Sequence, residues 1–202
     1  MRGHLAHYLT LITCTAVIGL PSASSADARK PPSVIQTCAY SSRLDDDTLS
    51  HRDCAWKGAS GEFHVSPVHF RRLDFDNYGL ASINIDGGFY YVRRDGRTAP
   101  TMMMDNWADP FIDGRARSPV NGKIGYIDRH LTLIISAKYD GAYLFNHGFA
   151  VVCAGCKVKS GGEYSWYEGG KWGCIDRSGR EQAPFRPLGR AEPSDGVCSK
   201  YR

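Results

Sequence analysis

The sequence predicts an all-β protein of stacked antiparallel β-hairpin repeats of about 35 residues, with an N-terminal cap stapled by a disulfide. Three observations predict it. The stretch Gly122-Lys123-Ile124-Gly125-Tyr126-Ile127-Asp128 recurs as Gly170-Lys171-Trp172-Gly173-Cys174-Ile175-Asp176 and, more loosely, as Gly87-Gly88-Phe89-Tyr90-Tyr91-Val92-Arg93. A second motif, Phe75…Gly79, Phe111…Gly114 and Phe145…Gly148, precedes each copy at the same period. Short alternating apolar runs and glycine-bearing turns fill each unit, and the chain beyond its leader holds an even number of cysteines.

Residues 1–26 read as a secretory signal peptide. Arg2 supplies a weakly positive start, the segment from Leu9 to Leu20 is largely apolar, and Ser24-Ser25-Ala26 or Ala26-Asp27-Ala28 fits cleavage by small residues. The run is too short for a comfortable membrane span. Acylation of Cys14 is the rival reading, against which Thr13 stands where a smaller residue is expected. Cleavage near Ala26 removes Arg2 and no acid, taking the formal charge from +4 to +3. That mild charge, with both signs mixed, gives no case for nucleic acid, and no later run spans a bilayer.

Residues 27–33, with Arg29-Lys30-Pro31-Pro32, are an expected linker. Residues 34–74 form the expected cap, bracketed by Cys38 and Cys54. Asp45-Asp46-Asp47 lacks the alternating oxygen ligands of a calcium loop and reads as a solvated loop. Phe63 and Val65 alternate with Glu62 and His64 as an edge strand that Pro67 ends. His64 and His69 read as surface or edge positions.

Three units follow at 75–110, 111–144 and 145–181, then a tail over 182–202. In the first, Ala81, Ile83 and Ile85 alternate with Leu80, Ser82 and Asn84, the period of a half-buried strand. Asp86-Gly87 and Asn121-Gly122 supply the positive φ of a tight hairpin. The second strand ends at Asp95-Gly96 or Ser178-Gly179, and an irregular connection is expected from there to the next unit. A lone hairpin is marginal in water, so the units must share or stack sheets. Gly79, Gly114, Gly148, Gly125 and Gly173 are expected to be structural, as are Trp172 in the core and Asp128 and Asp176, equivalent positions that would accept turn hydrogen bonds. Met102-Met103-Met104 reads as a core strand, with an adaptable contact patch as the alternative.

The paired motifs resemble the WG-repeat family, whose units carry F-x-x-G-x-A followed by G-K-W-G-[YF]-I-D. Phe145 to Gly179 matches with Cys174 in the aromatic place; Phe111 to Asp128 matches with Ile124 for Trp; the unit from Phe75 is degenerate. The resemblance spans about residues 75 to 181. It implies a β-rich repeat fold with a binding or scaffolding role, and no catalytic residues.

Six cysteines remain after cleavage: Cys38, Cys54, Cys153, Cys156, Cys174 and Cys198. In an exported chain they point to disulfides. Sequence does not choose the pairing; the favoured set joins Cys38 to Cys54 and Cys174 to Cys198, leaving Cys153 with Cys156. Cys153-Ala-Gly-Cys156 has two further readings. A redox dithiol would need a helix starting at Cys153, and the glycines and lysines that follow favour an extended hairpin instead. Zinc held by Cys153, Cys156, Cys174 and His147 would need convergence in space that one Cys-x2-Cys does not show.

No nucleophile elbow, zinc-protease helix or phosphate loop is present in the sequence. No cofactor and no metal are expected. The third unit instead carries an insertion of about fourteen residues between Cys156 and Gly170, containing Tyr164-Ser165-Trp166-Tyr167, and repeat insertions map to loops that often form the binding face. Tyr164, Trp166 and Tyr167 are therefore the candidate binding residues, with Trp166 folding back onto the hairpin as the competing reading. The expected function is an exported, non-enzymatic interaction module whose partner is a protein or a cell-wall glycan. The alternative is a thiol-disulfide oxidoreductase or metal-binding protein using Cys153 and Cys156.

Overall fold

The computed structural model describes residues 36–44, 48–162, 164–188 and 196–199. The expected signal peptide and linker, Asp45-Asp46-Asp47 and part of the tail lie outside them. The described chain is built almost wholly from antiparallel strands.

The cap comprises β1 (Cys38–Ser41), β2 (Thr48–His51), β3 (Ala55–Lys57), β4 (Phe63–Val65) and a single helical turn α1 (Pro67–Phe70). Pro67 sits in the first turn of α1, where a missing N–H costs nothing. β1 pairs with β2, β3 pairs with β4, and the Cys38–Cys54 disulfide ties the two hairpins with Cα atoms 6.0 Å apart. His69 is half-buried; its Nδ1 lies 2.7 Å from the Tyr40 hydroxyl. His64 is paired with Glu62.

The first repeat contributes β5 (Leu80–Ile85), β6 (Gly88–Arg93) and β7 (Thr98–Thr101). β1 pairs along β5, opposing Tyr40 to Ile83, so the cap covers the open edge of the first repeat in a sheet ordered β2-β1-β5-β6-β7. Alternation places Ala81, Ile83 and Ile85 in a core with Tyr40, Leu73 and Val92.

A small hairpin follows, β8 (Met103–Met104) and β9 (Trp107–Ala108). It corrects the expectation of a core strand at the methionines. Asp105 and Asn106 both adopt positive φ and turn the chain after two residues, leaving Met103 58% and Met104 38% exposed. Only Met102 packs against the core.

β10 (Ala116–Val120), β11 (Lys123–Ile127) and β12 (Leu133–Tyr139) form the second repeat; β13 (Gly141–Ala142) leads into the third. That repeat holds β14 (Phe149–Ala154), β15 (Lys157–Gly161), β16 (Tyr164–Glu168), β17 (Lys171–Asp176) and β18 (Glu181–Pro187), with the main sheet ordered β13-β14-β17-β18. Each unit is thus a three-stranded meander rather than the expected hairpin with an irregular connection. The segment after the second strand folds back and pairs as β7, β12 or β18. Pro100 is tolerated because β7 is an edge strand.

The units are joined by a repeated aromatic contact. Tyr91 of β6 packs on Phe111 with ring centroids 4.8 Å apart and donates its hydroxyl to the Asp109 carbonyl; Tyr126 of β11 packs on Phe145 at 4.9 Å and donates to the Tyr143 carbonyl. In both cases the acceptor lies two residues before the phenylalanine of the next unit. In the third unit the equivalent residue, Cys174, bonds instead to Cys198. A buried ion pair adds to the joint between the first two units. Arg117 of β10 donates through Nη2 and Nε to Asp109 at 2.6 and 3.0 Å and through Nη1 to the Ala142 carbonyl.

Candidate functional site

Ala154 pairs with Lys171, so β14 and β17 form the same hairpin as β5–β6 and β10–β11. Where those turn through Asp86-Gly87 and Asn121-Gly122, the third repeat runs out through residues 155–170 and folds them into a second ribbon, β15–β16. The insertion read from the sequence is therefore a projecting hairpin on a narrow neck.

The neck is braced from several sides. Cys153 and Cys156 are bonded across it, 0% and 6% exposed. Asp140 accepts from the Gly155 N–H at 2.7 Å and from the Lys123 ammonium at 2.5 Å. The Lys123 hydrogen bond, then that of Gly155, holds the Asp140 carboxyl below the usual carboxylate range. Gly141 gives the disulfide room: a Cβ there would stand 2.7 Å from the Tyr167 ring and 2.8 Å from both sulfurs. Neither Gly141 nor Asp140 was singled out as part of this site from the sequence. Nothing local marks them, because their role arises only when β13 pairs with β14.

Pairing in the ribbon sets which side chains face out. Lys157 opposes Glu168, Lys159 opposes Trp166 and Gly161 opposes Tyr164, so these six share one face; Val158 and Tyr167 share the other. Tyr167 is 8% exposed and packs edge-on against Tyr143 at 5.5 Å and against Trp172 at 6.4 Å. Burial pushes its phenol pKa up. Tyr167 is accordingly an anchor of the ribbon. Tyr164, 78% exposed, stands on the opposite face with the half-exposed Trp166. The Trp166 six-membered ring passes 3.1 Å from where a Cβ on Gly161 would sit, so it lies across the bare backbone of that glycine. It does fold onto the hairpin, as the competing reading had it, while keeping part of its surface in solvent.

The remaining motif residues are structural in position. Trp172 is fully buried, donates to the Gly169 carbonyl and stacks on Tyr143. The Asp128 carboxylate accepts the N–H groups of His130 and Thr132, and that of Asp176 accepts those of Ser178 and Arg180. Gly79, Gly114 and Gly148 each take positive φ at the turn that opens a repeat, and at the third the Gly148 N–H is capped by Asp113 of the preceding unit.

Cys153 and Cys156 stand in strand–turn–strand geometry, with no helix N-terminus to stabilise a thiolate and both sulfurs out of solvent. The zinc set does not assemble. Cys174 is bonded to Cys198, and His147 lies at the far end of β14 from Cys153, in the turn that opens the repeat. Among the described residues no three His, Cys, Asp or Glu side chains converge to hold a metal.

Residues 124–155 match the family model described as a WG containing repeat. The match begins in β11, crosses the joint at Phe145 and ends at the neck of the projecting ribbon, so it spans one unit-to-unit junction. No curated protein and no solved structure matches the chain. No helix among the described residues is long and apolar enough to cross a membrane.

Proposed function

We propose that this protein is an exported, non-enzymatic WG-repeat module that uses the β15–β16 ribbon to engage a protein or glycan partner in the cell envelope. The observation that carries the reading is the ribbon itself. A disulfide, an ion-paired aspartate and a buried tyrosine pin its base, and its outer face presents Tyr164 and Trp166 beside Lys157 and Lys159. Rigid aromatic side chains on a braced support give contact area at low entropy cost. Three intramolecular disulfides suit an oxidising compartment, and an apolar segment at residues 9–20 suits export to it. Burial of Cys153 and Cys156 supports a staple over a dithiol enzyme.

The test is binding of the mature protein to isolated cell-wall glycan by co-sedimentation, in parallel with crosslinking from position 159, on the same face of the ribbon, to envelope proteins in intact cells. Tyr164→Ala with Trp166→Ala should abolish whichever signal is seen without moving the thermal midpoint. Retention in the glycan pellet identifies a glycan partner, and a single discrete crosslinked species identifies a protein. Unchanged binding in the double variant would overturn the assignment of the ribbon.

A further inference from the structure

A second site lies where the cap meets the first repeat, away from the residues of the ribbon. A pocket of about 190 Å³ is lined by Arg43, Phe70, Arg71, Leu73, Phe75 and Arg94. Three arginines line it, and among the described residues no acidic residue does. Among the described residues none of the three is in an ion pair, although the chain spends other arginines that way, as at Arg117 with Asp109 and Arg97 with Asp95.

The floor is apolar. Phe70 and Phe75 meet at 5.3 Å with rings tilted by 59°, above Leu73, which is 1% exposed. The rim is held in place by the fold. Arg43 Nε donates to the Arg71 carbonyl at 2.8 Å, and its backbone N–H donates to the Arg72 carbonyl, which leaves the terminal Nη groups of Arg43 for another acceptor. Arg94 spreads its guanidinium over the Phe75 ring, 4.7 Å from the centroid, so the edge of its plane is what remains to donate. Guanidinium edges match a planar two-oxygen acceptor, and aromatic walls match a ring. The volume lies below the range of roughly 300–1,000 Å³ typical of drug-sized sites, which limits the occupant to a single ring.

We propose that this pocket binds a ring-bearing carboxylate of the size of one hexuronate or one benzoate, with the ring against Phe70 and Phe75 and the carboxylate between Arg43 and Arg94. This site does not depend on the ribbon or on its partner.

The test uses the mature full chain, labelled for amide and arginine Nε–H spectra and titrated separately with sodium benzoate, sodium glucuronate, sodium acetate and sodium phosphate. Saturable shifts at the Arg43 and Arg94 Nε–H signals are expected for benzoate or glucuronate, with Kd in roughly the millimolar range of a small ligand. The tighter of the two shows whether the ring is aromatic or a sugar. Acetate, lacking the ring, should bind more weakly than either. Arg43→Gln and Arg94→Gln should each weaken binding about tenfold, the scale of one charge-assisted hydrogen bond. If Arg94→Gln perturbs the fold, the exposed Arg43→Gln decides the matter alone. Linear shifts without saturation, phosphate or acetate binding as tightly as the ring carboxylates, or an unchanged Kd in Arg43→Gln would overturn the proposal.

Discussion

Gly125 lies so close beneath Ile135 that a Cβ on it would fall inside van der Waals contact of the Ile135 carbonyl oxygen and 2.7 Å from the Ala137 nitrogen. The same glycine recurs as Gly173, whose Cβ would stand 2.5 Å from the Phe185 ring. In both units the third strand shifts register as it passes this position, between Ile124 and Tyr126 and between Trp172 and Cys174. In the first unit Tyr90 replaces the glycine, and β6 and β7 pair without a shift. The motif glycine is therefore the place where a bulged third strand crosses close over the second. Gly125→Ala should cost about 1–3 kcal/mol, because a rigid backbone must move. Gly173→Ala should cost less, because the half-buried Phe185 ring can swing aside. Urea midpoints at constant m-value check the order, and equal costs would contradict the account.

Cys174 stands where Tyr91 and Tyr126 join one unit to the next, and in the third unit this position is bonded to Cys198 instead. A loop with its ends 24 residues apart gives roughly 3 kcal/mol in the chain-entropy model. Cys198→Ser should therefore lower stability by about that amount under non-reducing conditions. Cys174→Ser with Cys198→Ser should lose no more than the single variant, since both remove one bond. Additive losses in chemical denaturation would show that the tail packs without the bridge.

Asp109 is fully buried and meets Arg117, whose side chain is 11% exposed, through two guanidinium nitrogens. Removing one partner of a buried pair strands the other charge, so Asp109→Asn should cost about 3–5 kcal/mol. Asp95→Asn, at the exposed pair with Arg97, should change the unfolding midpoint little, since solvent screens that pair. The contrast between the two variants, read in one denaturation series, separates buried from surface pairing.

Much of this architecture was legible because its turns demand special backbone. Asp86-Gly87, Asn121-Gly122 and the glycines at 79, 114 and 148 occupy positive φ, and that requirement is visible in residue type and spacing. The third strands were not legible. Leu133–Tyr139 carries a register shift against β11, and its pairing depends on where the neighbouring sheet lies rather than on its own pattern. The ribbon was legible as an insertion, yet Tyr164 and Tyr167 look alike in the sequence. Only the parity of β16 relative to its neck sends Tyr167 into the core and Tyr164 outward. The arginine pocket was equally hidden, because Arg43, Arg71 and Arg94 come from three separate loops that the cap brings together.

Stability should fall in two steps on acidification. The first comes from His69, whose pKa is lowered by burial, then by His51 and Arg72, against a raising effect of Asp53. Below about 6.5, the ordinary histidine value, the unfolded chain takes up a proton that the folded chain resists, and stability declines until the folded group also titrates. The second step comes from carboxylates. Asp140 is held below its ordinary range by Lys123 and Gly155; at Asp176 burial pushes upward but is outweighed by hydrogen bonds from Ser178 and Arg180. Their stabilisation is complete above the ordinary value of about 3.8 and is lost as pH falls through their lower folded values. Thermal midpoints from pH 7.5 to 2.5 should show both declines. His69→Gln should remove the upper one and keep the lower, whereas Asp140→Asn should make the lower one shallower and leave the share of Asp176. A midpoint that rises on acidification from pH 7 to 5 would contradict the first assignment.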